Sequence, residues 1–313
     1  MLDILGITFP VFATIAIGFA LVRGGIFAPA DMQVLGKFAV NIGLPATMFL
    51  AVASRDLSEI TQFGYIGIYA ASGLATIAIA VLWPRLLGAP DHVRAVAPMG
   101  SSCPNSTFVG FPIMLLAFPD FATLGLTLHV LAEMFILIPV SLILMDLLDS
   151  KHEVTPSRVL AIILGVLKMP MMIGLLAGLI VSTLNIPLPG PVDRLVAMLA
   201  GSLAAVALIM IGGSIAGRSL KGEIGHAALI SVGKTVLQPA LAALIAGAAI
   251  GAGLVQLDPD MHSALILSAG MPVIGVYPVF AQRAGGEAVA AAVVFATTLS
   301  AFITLNVLLW LLA

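Results

Sequence analysis

The stretch Met99-Gly-Ser-Ser-Cys-Pro-Asn-Ser-Thr-Phe-Val-Gly-Phe-Pro112 decides how the rest of this chain is read. Inside an apolar segment it places the backbone-breaking residues Pro104, Gly110 and Pro112 around the small polar run Asn105, Ser106 and Thr107. Each proline removes a backbone donor and collides with the preceding turn, and glycine loosens the chain between them. The spacing therefore predicts an unwound backbone near Pro104. In a bilayer, backbone groups freed in this way must find partners within protein or in a water-filled cavity. The stretch marks either a ligand site or a packed kink.

The surrounding composition sets the solvent. Of 313 residues, 61% are hydrophobic and only 9% charged, with a mean hydropathy of +1.18, which excludes a soluble domain of this length. Apolar runs near the roughly 20 residues needed to cross a ~30 Å hydrocarbon core recur along the chain, favouring helices over a barrel's short alternating strands. Ten spans are expected, at 4–23, 34–53, 63–87, 93–118, 122–148, 158–182, 193–216, 226–252, 262–283 and 287–312. The opening residues lack a basic leader pattern, so the first run is expected to be a permanent span. One cysteine, Cys103, excludes an internal disulfide and leaves no cysteine cluster for a metal. No phosphate-binding loop, metal-ligand pattern or nucleophile motif is present, which argues against an enzyme or an ATP-driven pump and implies neither cofactor nor nucleic-acid partner.

The longest polar break, 149–158, lies near the middle of the chain, and the halves on either side resemble each other in order. Pro10, Asp31 and Arg55-Asp-Leu57 in the first are answered by Pro170, Asp193 and Arg218-Ser-Leu220 in the second. Gly-Phe-Pro at 110–112 is answered by Val-Tyr-Pro at 276–278, each with an upstream proline, Pro104 or Pro272. Two five-span halves, an odd number each, must be inverted relative to one another. The expected organisation is thus an all-α integral membrane protein: repeat 1–150, linker 151–157 and inverted repeat 158–313, with broken spans four and nine crossing. Basic residues concentrate on one side, at Arg23, Arg85, Arg94, Lys151, Arg158, Arg218, Lys221 and Arg283, with Lys37 near a span end. The other side has Arg55 and Arg194. The positive-inside rule then puts both termini outside the cytoplasm.

Matching Gly/Pro-broken spans in inverted halves point to a transporter site near the bilayer midplane. Asn105, Ser106 and Thr107 stand where the second half-helix of span four would begin, able to cap it or to donate to a carboxylate. The ninth span contributes the breaks Pro272, Gly275 and Pro278, with Tyr277 as a further substrate contact. Asn41, beside Pro45 in span two, is either a cavity residue or part of a kink, and Gln238, beside Pro239, has the same two readings. Glu133 and Lys234 lie at depth, where ionisable groups cost roughly 2.5–3.5 kcal/mol each on insertion scales and are usually paired or functional. Glu133 is the candidate proton carrier; Lys234 would hold a substrate carboxylate or pair with Glu133. His129 reads as a core histidine and Lys168 as a snorkelling side chain. The spacings Gly174…Gly178, Gly213…Gly217 and Gly247…Gly251 allow close helix packing.

The segments Pro-Asn-Ser-Thr-Phe-Val-Gly-Phe-Pro-Ile (104–113), Leu-Ile-Met-Ile-Gly-Gly-Ser-Ile (208–215) and Met-Pro-Val-Ile-Gly-Val-Tyr-Pro-Val-Phe-Ala-Gln-Arg-Ala-Gly-Gly (271–286), followed by Thr297-Thr-Leu-Ser300, resemble the auxin efflux carrier family. The likeness runs over nearly the whole chain. It implies a scaffold domain beside a transport domain, a crossover of the fourth and ninth helices, and Asn105 as the crossover asparagine that contacts substrate. The chain departs from the family at Ala205-Val206-Ala207, where a proline is common, and at Lys168-Met-Pro170, where Asn-Pro is common. The long loop of plant members is absent, so regulation by phosphorylation there is not expected.

Together these readings predict a secondary transporter of small organic anions, mono- or dicarboxylates such as malonate, working by an elevator-type shift with H⁺ or Na⁺ as coupling ion. It would be a multi-pass protein of a bacterial-type inner membrane and a possible homodimer. The alternative class is a membrane sensor that binds ligand on a transporter fold.

Overall fold

The computed structural model describes residues 2–53, 55, 57–149, 155–216 and 224–312. Residues 151–154 of the expected linker and the Arg218-Ser-Leu220 end of the seventh expected span lie outside the described residues. The long elements are α1 (Leu2–Arg23), α2 (Asp31–Ala53), α3 (Phe63–Leu86), α4 (Asp91–Ser102) and α5 (Ser106–Ala117). They continue as α6 (Pro119–Leu148), α7 (Pro156–Leu167), α8 (Pro170–Thr183), α9 (Gly190–Ala216) and α10 (Ile224–Gly251). The last three are α11 (Pro259–Ala269), α12 (Tyr277–Ala281) and α13 (Glu287–Leu312). Among the described residues there is no strand, only one isolated β-bridge.

Among the described residues seven helices, α1, α2, α3, α6, α9, α10 and α13, are long and apolar enough to cross a membrane; α7 and α8, bent by 62°, make an eighth if they form one span. Large apolar side chains such as Phe9, Phe63, Leu244 and Trp310 are exposed, as lipid-facing surface requires. The segments 91–117 and 259–281, where ten spans would place the fourth and ninth, are each two shorter helices around a non-helical break.

Among the described residues four π turns of five residues recur with one sequence rule. They are Ala39–Gly43, Ser106–Gly110, Glu133–Leu137 and Gly233–Leu237, and the second residue after each is a proline: Pro45, Pro112, Pro139 and Pro239. A proline ring in a regular helix collides with the carbonyl four residues back. Widening that turn to an i→i+5 bond, as in Phe111 N–H to Ser106 O and Gln238 N–H to Gly233 O, makes room without ending the helix. The π turns also collect polar side chains at depth, for they hold Asn41, Ser106, Thr107, Glu133 and Lys234.

Helices in lipid gain little from hydrophobic burial against each other, so close packing depends on small residues. A Cβ on Gly18 would fall on the carbonyl oxygen of Ile209, and one on Gly212 on that of Ile15, so α1 and α9 touch backbone to backbone. In the same way Gly174 and Gly178 seat α8 against the backbone of Pro45 and Phe49 in α2. The two contacts join α1 to α9 and α8 to α2. Gly247 and Gly251, by contrast, meet nothing within 4 Å among the described residues, so that spacing seats no neighbouring helix there. Gly212→Ala is expected to cost about 1–3 kcal/mol by overpacking and to lower the melting temperature in detergent, while Gly247→Ala leaves it unchanged or raised. Equal melting of the two variants would remove backbone contact as the reason these helices pair.

Helices α1, α2, α8 and α9 pack as one group, and α3 to α6 with α10 to α13 as another, with α7 lying against α6. The second group contains both broken helices.

Candidate functional site

The unwound residues after α4 and after α11 meet. Pro104 and Val273 form an antiparallel bridge, closed by Asn105 N–H to Pro272 O at 2.7 Å and Ile274 N–H to Cys103 O at 3.0 Å. Val273 N–H donates to Thr297 Oγ1 of α13 at 3.3 Å. The donors and acceptors that the prolines free from their own helices are thus satisfied by each other, as a buried backbone requires.

Asn105 caps α5. Its Oδ1 accepts from Phe108 N–H at 3.1 Å, and its main-chain carbonyl accepts from Val109 and Gly110 N–H at 3.2 and 2.9 Å. The amide Nδ2 finds no acceptor among the described residues, though Asn105 is only 3% exposed. That nitrogen lies 3.8 Å from where a Cβ on Gly275 would stand. Thr107 Oγ1 likewise makes no hydrogen bond among the described residues, and the first N–H groups of α5 have no intrahelical acceptor. Several donors therefore remain open at the crossing.

Ser106 faces the other way. Its hydroxyl donates to Glu133 Oε1 at 2.5 Å, and Tyr69 OH of α3 donates to the same oxygen at 3.0 Å. Glu133 is buried with both donors on Oε1, leaving Oε2 without a partner among the described residues. Next to this cluster, Tyr65 OH and His129 Nε2 are 2.7 Å apart, and the His129 ring tilts against Tyr69 at 4.5 Å between centroids.

Lys234 and Gln238 close the C-terminal ends of the two first half-helices. Lys234 Nζ donates to Ala269 O, the last residue of α11, at 2.6 Å; Gln238 Nε2 donates to Ser102 O, the last of α4, at 2.9 Å. A cation at a helix C-terminus is favourably placed against the dipole. Among the described residues no ion pair joins Lys234 to Glu133, so the pairing considered from sequence is not made. Tyr277 is also spent on packing: its hydroxyl donates to Val96 O at 2.8 Å, and Gly100 leaves room for it.

A cavity of about 600 Å³ lies between the two helix groups. Its inner wall carries Phe108, Gly275 and Val276 from the crossing; α2 contributes Gln33, Lys37 and Asn41, α9 Met210 to Ile215, and α13 Val294 and Phe295. Gly275 and Asn41 are the sequence candidates that line it. Tyr277 does not, and Pro278 sits in the first turn of α12.

Residues 4–309 match the family described as "Membrane transport protein". The chain belongs to this family. It is the family to which the auxin efflux carrier resemblance pointed, and its members span the membrane many times. The chain is 27% identical, over its full length and 97% of the relative, to a "Putative malonate transporter" of Rhizobium meliloti (strain 1021). It is 20% identical over 82% of its length, and 84% of the relative, to an "Uncharacterized transporter" of Methanothermobacter thermautotrophicus (strain ATCC 29096 / DSM 1053 / JCM 10044 / NBRC 100330 / Delta H). Family and relatives support a membrane transporter.

Three elements of this transporter's polar interior escape a reading by motif. Tyr65 and Tyr69 are two of only three tyrosines in the chain, and all three are fully buried rather than placed at the membrane interface, where tyrosine is enriched. Their i, i+4 spacing in an apolar run was the available signal. Lys37 was read only as part of the basic side of the membrane. Ser101 Oγ, buried without a partner among the described residues, left no trace in the sequence beyond its polarity, whereas Gln238, whose Oε1 is likewise unpartnered there, was singled out by its proline neighbour.

Proposed function

We propose that the chain is a secondary transporter of small organic anions, and that the crossing of the two broken helices is where the anion binds. The observation that carries this reading is the Pro104–Val273 bridge with the Asn105 amide left unpartnered beside it. A carboxylate would accept from Asn105 Nδ2, Thr107 Oγ1 and the open N–H groups of α5, whose N-terminal dipole favours negative charge. The α12 helix has five residues and adds little dipole of its own. Malonate, named for one relative, is the first substrate to try.

The reciprocal contacts of α1 with α9 and α8 with α2 support two inverted repeats, 1–150 and 158–313, in which segments 91–117 and 259–281 each count as one broken span and the total is ten. The division into two helix groups supports an elevator: α1, α2, α8 and α9 would stay as scaffold while the group holding the crossing shifts. Pro29, in the connection after Arg23, lines the cavity, so the cavity is reached from the basic side, which the positive-inside rule makes cytoplasmic. Proton coupling is favoured by Glu133, which is bonded directly to Ser106 in the first turn of α5.

Counterflow of labelled malonate in proteoliposomes tests the reading, with succinate, acetate and a neutral amide as competitors. Competition by carboxylates alone is the expected result, and it should survive replacement of Na⁺ by choline. Thermal stabilisation by carboxylates with no flux would overturn transport in favour of a sensor. Loss of flux in choline would make Na⁺ the coupling ion.

A further inference from the structure

We propose that Lys37 is the second anchor of the substrate and selects dicarboxylates over monocarboxylates. The proposal rests on the organic-anion reading above and adds the residue that chooses among anions. Lys37 is the one charged side chain among the described residues lining the 600 Å³ cavity. Its ammonium makes neither an ion pair nor a hydrogen bond among the described residues.

The local geometry makes that charge available to a ligand. Gln33, Lys37 and Asn41 follow one another at i, i+4 and i+8, which puts them on one face of α2, and all three line the cavity. Asn41 Nδ2 is held on the Lys37 carbonyl at 2.8 Å, so Asn41 braces the turn that carries the lysine, while the ammonium is the charged donor. Across the cavity the wall is apolar apart from Ser214, with Met210, Ile211, Val276, Val279 and Phe295. Low-dielectric walls strengthen the field of a single charge in a cleft. The cavity runs from Pro29 and Lys37 to Gly275, behind which the Asn105 amide stands. Asn105 and Thr107 do not themselves line the cavity, so a ligand that reaches past Gly275 would meet their neutral donors at one end and a full positive charge on α2 at the other. A monocarboxylate satisfies one end, and a dicarboxylate satisfies both.

The volume suits a small molecule and its surrounding water, since ligand cavities run from about 300 to 1,000 Å³. Because Lys37 belongs to the scaffold group and Asn105 to the group with the crossing, a bridging dianion would also touch both sides of the interface that an elevator must slide along.

The experiment compares malonate with its monomethyl ester, a monoanion of similar size, as competitors of labelled malonate counterflow in proteoliposomes at neutral pH. Lys37→Gln, Lys37→Arg and Lys168→Gln are tested beside the unaltered chain. Lys168, at the bend between α7 and α8, does not line this cavity and controls for lost charge. The unaltered chain is expected to prefer malonate by about tenfold, the scale of one charge-assisted contact. Lys37→Gln should bring the two competitors to near equality by weakening malonate, and the other two variants should keep the preference. Robust malonate counterflow with the preference intact in Lys37→Gln would overturn the role of Lys37 and leave the anion reading standing. No preference in the unaltered chain would do the same. Absence of carboxylate counterflow from folded protein would sink both.

Discussion

Asn105→Asp is expected to abolish carboxylate counterflow while leaving the melting temperature close to that of the unaltered chain. The residue has two separable duties. Its Oδ1 caps the first turn of α5 through Phe108 N–H, and aspartate does this equally well, at a helix end whose dipole welcomes a negative charge. Its Nδ2, unpartnered and beside Gly275, is the donor offered to substrate, and aspartate replaces it with a second anion. Two unit charges ~4 Å apart at an effective dielectric near 20 repel by about 4 kcal/mol, on the order of a thousandfold in affinity. Asn105→Ala confounds the two duties, since it also removes a cap worth about 1 kcal/mol. Thermal melting therefore accompanies flux: normal flux in Asn105→Asp would show that no anion binds at the crossing, whatever the melting curve does.

The same residue shows how much the sequence could say. Pro104, Gly110, Pro112, Pro272 and Pro278 announce broken helices because proline and glycine act through the backbone, whose consequences are local and readable in one dimension. That the breaks meet is a long-range fact, here a bridge between residues 104 and 273; the likeness between the two halves and the family resemblance pointed to it, while the residues of either break alone did not. Side-chain direction was less legible. Ser106 and Thr107 are neighbours, yet Ser106 turns to Glu133 while Thr107 keeps a free hydroxyl. Tyr277, next to a proline in the matching break, looked like a ligand contact and is a buried strut on Val96 O. Lys234 and Glu133 were obvious as charges at depth. Their partners were not, because a helix C-terminus such as Ala269 O can satisfy an ammonium as well as a carboxylate can, and sequence does not record which end lies nearer.

Glu133→Gln is expected to uncouple transport from the proton gradient while preserving exchange. Glutamine keeps an oxygen to accept from Tyr69 OH and Ser106 Oγ, so the cluster that fixes the start of α5 should survive. What it loses is the ability to take up and release a proton on the carboxylate, whose Oε2 has no partner among the described residues. A gradient of one pH unit is worth about 1.4 kcal/mol per proton, which can sustain at most about tenfold accumulation of substrate for each proton moved with it. Proteoliposomes holding the unaltered chain should approach that accumulation when the pH gradient is imposed, and those holding Glu133→Gln should equilibrate substrate without accumulating it. Glu133→Ala supplies the structural comparison: it leaves Tyr69 OH and Ser106 Oγ only each other, 3.4 Å apart, and strands at least one buried hydroxyl at about 1–3 kcal/mol, so it should melt earlier and lose exchange as well. Accumulation by Glu133→Gln equal to that of the unaltered chain would move the coupling site elsewhere. The carboxylate would then be a fixed acceptor, holding Ser106 in place so that the first turn of α5 stays open to the anion.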